Sequence, residues 1–230
     1  MNKRLLTFTL CAAFGFTAGL VRGEERFDFK VRELIFAGMA GNQAMFEEGM
    51  KLCEEALAVN PKHAEALVWH GAGLFAQAGR HFQKGDAQKG MELSVRGTAE
   101  MDKAVELEPE NLGVRIPRGA VLISAAAQMS GDPNGPGKMF AAKAVSDYEV
   151  TLARQVDLFA GLGNHPRGEL LQGLANGYRW TGQTEKAKAM FARIETELPG
   201  TAYAKRAIKF RETGSLTAQE SSCIGCHVKK

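Results

Sequence analysis

Two thiols and an imidazole stand together near the C-terminal end of this sequence, in the run Cys223-Ile224-Gly225-Cys226-His227 before Val228, Lys229 and Lys230. Cysteines three residues apart share one face of a helical turn, and the histidine follows directly. Three chemistries use such a set. The thiols can add to the two vinyl groups of a haem while the imidazole takes an axial position on its iron. They can instead oxidise to each other as a structural or redox-active disulfide. Zinc is the third choice, but it needs further ligands nearby and the tail supplies none. The reading adopted is one covalent haem attached through Cys223 and Cys226, with His227 as axial ligand.

The opposite end supplies the compartment that such chemistry requires. Lys3 and Arg4 form a positive start, and an apolar run follows from Leu5 to Val21. Val21 and Gly23 then make a −3/−1 cleavage pair before Glu24, with cleavage after Gly19 as a second option. The expectation is a secretory signal over residues 1–23, competing with a membrane anchor for which the run is slightly short. Cys11 follows Leu10, not a small residue, which argues against a lipoprotein site. No later apolar stretch reaches spanning length, so an exported, periplasmic chain without a membrane span is expected.

Cleavage would remove Lys3, Arg4 and Arg22 and no acid, so the 29 basic residues fall to 26 against 26 acids. A formally neutral chain gives no bulk electrostatic case for nucleic-acid binding. Of four cysteines, Cys53, Cys223 and Cys226 would remain, too few for a disulfide framework.

Between the two ends the sequence repeats itself. Glu54-Glu55-Ala56-Leu57-Ala58-Val59-Asn60-Pro61 leads into Ala64-Glu65-Ala66-Leu67, and Asp102-Lys103-Ala104-Val105-Glu106-Leu107-Glu108-Pro109 follows. Leu171, Leu174, Ala175, Tyr178, Gly182, Ala187, Phe191 and Pro199 form a third segment. Apolar residues recur every three or four positions with charges between them, the pattern of amphipathic helices, and strand alternation is absent. Pro61, Pro109 and Pro199 each fall where a helix must stop.

The third segment, over residues 168–201, resembles the tetratricopeptide (TPR) repeat, whose small and large apolar positions follow this order over about 34 residues. The resemblance implies an all-α, right-handed superhelix of antiparallel helix pairs filling residues 24–213. Pro61 and Pro109 are 48 residues apart, longer than one such repeat. Gly85-Asp86 reads as the turn inside that unit, so both partner helices, Ala64–Gly85 and Asp86–Pro109, gain about two turns. The following pair is read as Val114–Met129, with Pro117 in its first turn, and Lys138–Leu162. Ser130–Gly137 is a loop, and Gly163-Asn164-His165-Pro166 is a break. Thr201–Glu212 is expected to cap the stack, turning Ala202, Tyr203, Ala207 and Phe210 inward and Lys205, Arg206 and Lys209 outward. Residues 214–230 form a separate tail. There Thr217 and Glu220 have the spacing of a capping box at the head of a short helix from Ala218 through His227.

The Cys223–His227 run is similar to the attachment motif of c-type cytochromes, but not to the class I fold, in which the motif comes early and a methionine ligand lies downstream. Cytochromes c′ offer a closer analogy in layout only. Any second axial ligand would have to come from the repeats. His165, His63, His70, His81 and Met190 are the residues considered, and none is assigned. Cys53 occupies an apolar helical position and reads as a buried thiol.

The inner helix of the last repeat carries Glu169, Gln172, Asn176, Arg179 and Trp180, a mixed polar and aromatic set able to grip a protein partner in the groove. No catalytic triad, phosphate loop or carboxylate pair is recognisable. The function expected is electron transfer, or haem-dependent work in a protein complex. The alternatives are a cofactor-free scaffold and, last, a thiol–disulfide enzyme, which would want a supporting sheet.

Overall fold

The structure is a computed structural model that describes residues 26–129 and 134–221. All regular structure among these residues is helical. In chain order the helices are α1 (Phe27–Met39), α2 (Gln43–Val59), α3 (Ala64–Gln83), α4 (Ala87–Leu107), α5 (Leu112–Gln128), α6 (Pro136–Arg154), α7 (Asn164–Trp180), α8 (Thr184–Glu197), α9 (Ala202–Thr213) and a single turn, α10 (Ala218–Ser221). No helix among the described residues is long and apolar enough to cross a membrane.

Local chemistry sets most of the boundaries. Asn42, His63, Asp86, Asn111 and Thr201 each accept a hydrogen bond from a first-turn backbone N–H, at Met45, Ala66, Lys89, Gly113 and Ala204. These contacts satisfy donors that a helix start leaves unpaired. Successive helices pair as α1/α2, α3/α4, α5/α6 and α7/α8, and α9 packs on α8. One continuous core runs through the pairs, with Trp69, Phe46, Ile35, Met101, Leu122 and Leu171 among its fully buried members.

The lengthening of the second pair is present. Helices α3 and α4 have 20 and 21 residues, against 17 and 14 in α7 and α8. The turn between them is at Gly85, whose φ is +83°, and Asp86 caps α4. The two long helices touch through glycines: a Cβ on Gly97 would sit 2.6 Å from the Gly71 carbonyl oxygen, and one on Gly71 would sit 2.6 Å from that of Gly97.

A buried ionic bolt joins the next elements. Asp147 of α6 is fully buried and accepts from Arg115 Nη1 at 2.9 Å and from Arg118 Nε and Nη2, each at 2.8 Å. Arg118 Nη1 also donates to Asp102 of α4 at 2.9 Å, and Lys143 pairs with the same carboxylate. Desolvation pushes the Asp147 carboxyl upward, and the two guanidiniums oppose it. Each charge in the bolt has a partner, the condition under which buried charge is tolerated.

Three boundaries and one face differ from the sequence reading. Helix α5 begins at Leu112, capped by Asn111, so Pro117 lies inside the helix and not in its first turn. Helix α6 ends at Arg154, not Leu162; the chain folds back through a 3-10 turn at Phe159–Gly161. Phe159 is thereby buried beneath the guanidiniums of Arg167 and Arg193, at 5.4 and 5.5 Å, so its apolar position does not mean continued helix. The expected break at Gly163–Pro166 is in fact the start of α7, where a first-turn proline gives up no helical bond. Helix α10 begins at Ala218 as expected, and the rest of the expected tail helix, to His227, lies outside the described residues. In α9, Tyr203 and Ala207 face inward as expected, but Ala202 is exposed and Arg206 is half-buried.

The glycine contact gives a stability test. Gly97→Ala should destabilise the chain by about 1–3 kcal/mol, because its new methyl meets backbone that cannot move aside. Gly79, also in α3 but with nothing near its missing Cβ, should instead gain roughly 0.5–1 kcal/mol on Gly79→Ala. Urea unfolding of the two variants measures both signs.

Candidate cofactor-bearing site

Helix α7 supplies the inner face proposed from the sequence, and its five residues serve three different surroundings. Gln172 and Asn176 are 1% and 0% exposed. Gln172 Nε2 donates to the backbone oxygen of Glu220 at 2.9 Å, and Asn176 Nδ2 to that of Ser221 at 3.2 Å. The peptide these amides hold is therefore the chain's own tail. Arg206 Nη1 braces Gln172 Oε1 at 3.2 Å, which fixes which end of that amide faces the tail.

The tail is secured locally as well. Thr217 N–H donates to Glu220 Oε2 at 2.9 Å and Glu220 N–H to Thr217 Oγ1 at 3.2 Å, the reciprocal capping pattern its spacing implied. Lys209 Nζ reaches both Glu220 oxygens, at 2.7 and 2.9 Å. That ammonium, with the Thr217 N–H, holds the Glu220 carboxyl down at about 2. Ser221 is 1% exposed, and α10 packs on α5 and α7. Cys223, Cys226 and His227 lie outside the described residues. Two covalent steps separate Ser221 from Cys223, a reach of at most about 7 Å.

Glu169 faces a second environment. It lies 3.6 Å from His165 Nε2, and His165 Nδ1 is 3.0 Å from the Tyr203 hydroxyl. Both residues edge a cavity of about 490 Å³ between α1, α3, α5 and α7, walled by Phe29, Phe36, Trp69 and Ile116. Trp69 Nε1 donates to Asp28 Oδ1 at 3.1 Å, and the Asp28 N–H donates to Glu65. Burial pushes the Asp28 carboxyl up, against the Trp69 hydrogen bond.

Arg179 and Trp180 form the third. The Arg179 guanidinium lies over the rings of Trp180 and Phe210, at 5.3 and 5.1 Å, and its Nη1 is buried without a hydrogen-bond partner. Burial alone pushes this guanidinium below its ordinary range. Of the three other unpartnered buried atoms, Asn176 Oδ1 and Ser221 Oγ belong to the adjoining anchor, and Arg167 Nε lies near the start of α7.

The remaining candidates are occupied elsewhere. His63 caps α3 and packs on Phe27, His70 is buried against Glu100, and His81 pairs with Asp86. Met190 is partly buried against the core. The Cys53 thiol is buried, and desolvation pushes it up to about 12. Among the described residues no cluster of three or more His, Cys, Asp or Glu is arranged to hold a metal. Sequence reasoning missed Lys209 and Arg206 as tail anchors, and α1 as a groove wall. The aromatics Phe27, Phe29 and Phe36 were its only trace. In comparisons with known proteins, no family model, curated protein or solved structure matches the chain.

The depressed Glu220 carboxyl fixes the acid behaviour of the anchor. Its contribution is fully present above the ordinary value of 4.5 and is lost as pH falls through about 2. Amide NMR shifts of residues 218–221 should therefore keep their docked values at pH 4.5 and move toward pH 2. In Lys209→Ala they should move at a higher pH. Asn176→Ala should expose 214–221 to proteolysis at neutral pH without loss of helicity.

Proposed function

We propose that this chain is an exported protein of tetratricopeptide-like build that carries one covalent c-type haem and serves electron transfer, or haem-dependent work within a protein complex. Cys223 and Cys226 are the attachment thiols and His227 the axial ligand. The observation that carries the reading is the Cys223–His227 spacing, on a chain anchored two residues upstream. A cofactor attached there would be held against the helical body instead of swinging on a free tail.

The neighbouring residues suit such a group. Unpartnered polar atoms of Asn176, Arg179 and Ser221 stand at the root of the motif. Bound haem supplies one-electron redox chemistry at its iron. The chain's part is positional: Gln172, Asn176 and Lys209 hold Glu220 and Ser221, the residues just ahead of the attachment motif. Cys53 takes no part, because a thiol pushed so high is protonated and inert.

A second reading, a cofactor-free periplasmic scaffold, draws on the 490 Å³ cavity, whose aromatic wall and flanking Arg26, Arg32 and Glu33 suit a peptide partner.

Expression with the N-terminal segment in a host that matures c-type cytochromes separates the two. The first reading expects a haem-staining band that survives denaturation, and a reduced pyridine spectrum of a thioether-linked haem. Cys223→Ser or Cys226→Ser should weaken or abolish the stain, His227→Ala should impair it, and Cys53→Ser should leave it unchanged. An unstained chain favours the scaffold.

A further inference from the structure

We infer that the cavity between α1, α3, α5 and α7 is a binding site for a small, uncharged molecule with an apolar ring. The cavity measures about 490 Å³, within the range of small-molecule sites. Its walls come from all four helix pairs, so the fold itself forms it. Trp69 and Phe36 meet edge to face in the wall, with ring centroids 5.3 Å apart at 90°. Ile116, Pro117 and Ala120 of α5 add aliphatic surface. At the mouth Phe29 and Ile116 are large apolar side chains left exposed. An apolar body that covers such surface releases its water, and rings pack favourably on rings.

The rim decides the charge of the ligand. Arg26 lies 3.4 Å from Glu65 and 3.7 Å from Asp28, Arg32 lies 3.4 Å from Glu33, and His165 lies 3.6 Å from Glu169. Both signs are paired along the opening, so no single-sign field draws in an anion or a cation. An entering ion would also give up water to reach rings that cannot replace it. Inside, Asp28 Oδ1 already takes the Trp69 N–H. The peptide of the scaffold reading fits this interior less well. Each peptide residue brings a main-chain donor and acceptor that need partners. Among the described residues that line the cavity, Gln155 is the one amide. Gln172 and Asn176, further along α7, hold the chain's own tail. A ring with at most one neutral polar group asks no more than Gln155 can give. The site draws on residues between Arg26 and Glu169, so the inference stands apart from the haem reading.

The test is equilibrium dialysis of the full chain against two probes that share their rings. N-phenyl-1-naphthylamine is uncharged, and 1-anilinonaphthalene-8-sulfonate is the same molecule with a sulfonate added. Free probe is measured in the protein-free compartment, where an attached haem cannot quench it. The neutral probe should bind at one saturable site, at least about tenfold tighter than the sulfonate. Ala120→Trp fills the cavity, and Ile116→Asp sets a charge at its exposed mouth. Each should weaken the neutral probe by about tenfold or more. Met91→Asp, at an exposed apolar position on α4 outside the lining, should leave it unchanged. Circular dichroism checks the helix content of all three, and Ile116→Asp carries the comparison where Ala120→Trp does not fold. No saturable binding of the neutral probe, equal or tighter binding of the sulfonate, or binding that survives a folded cavity variant overturns the inference. Displacement of the probe by acetyl-Ala-Phe-Ala-amide at a lower concentration than by 1-naphthol also overturns it, and makes the cavity a peptide site.

Discussion

A helical hairpin cannot cover its own apolar flank, and that constraint organises this molecule. Each pair needs the next, so the chain cannot end on a bare pair. The requirement explains why α3 and α4 lengthen together. Had only one grown, its extra turns would present an unmatched stripe. With both grown, the added length is buried mutually, and Gly71 and Gly97 let the backbones close on each other. The requirement also explains the far end. Helix α9 covers α8, stacking Phe210 on Phe191 with ring centroids 4.4 Å apart. Residues 214–221 then return across α7 and α5, so the segment preceding the cysteines becomes part of the stack.

Buried polar groups supply the specificity that apolar stripes lack. Non-directional burial would let one helix pair slide on another. The Asp147 bolt forbids this between α4, α5 and α6, since displacement by one turn would strand a buried carboxylate and two guanidiniums. The tail is registered the same way on a smaller scale. Two amides spaced one turn apart on α7 meet two successive backbone carbonyls, so a slip of one residue along the tail would break both contacts. An unmade buried hydrogen bond costs about 1–3 kcal/mol, enough to choose one register.

What the sequence made legible follows from where the information is local. The Gly85-Asp86 turn, the Thr217–Glu220 cap and the matched lengths of α3 and α4 each depend on a few neighbouring residues, and each is present. Phe159 misled because an apolar residue at helical spacing looks alike whether the helix continues or the chain folds back under Arg167 and Arg193. Pro117 misled because Asn111 sets the start of α5 earlier than the apolar pattern does. On α7 the residues of the inner face were legible from repeat spacing, but their partner was not. Which peptide Gln172 and Asn176 hold is decided by a loop that returns the tail some 45 residues later. Helix α1 was invisible as a groove wall for the same reason: only the fold sets Phe29 and Phe36 opposite Ile116 and His165.

The contrast between two groups of arginines carries the argument furthest. Arg115 and Arg118 are buried and answered by Asp147 and Asp102; Arg179 is half-buried, lies over the rings of Trp180 and Phe210, and has one buried nitrogen without an acceptor. Of the four unpartnered buried side-chain atoms among the described residues, Arg167 Nε lies near the start of α7, and those of Arg179, Asn176 and Ser221 lie near the segment that leads to the cysteines. The anchor bears on the redox reading. On a free tail any group bound at the cysteines would swing, whereas the anchor of Glu220 and Ser221 on the inner helix ties the root of that segment to the helical body.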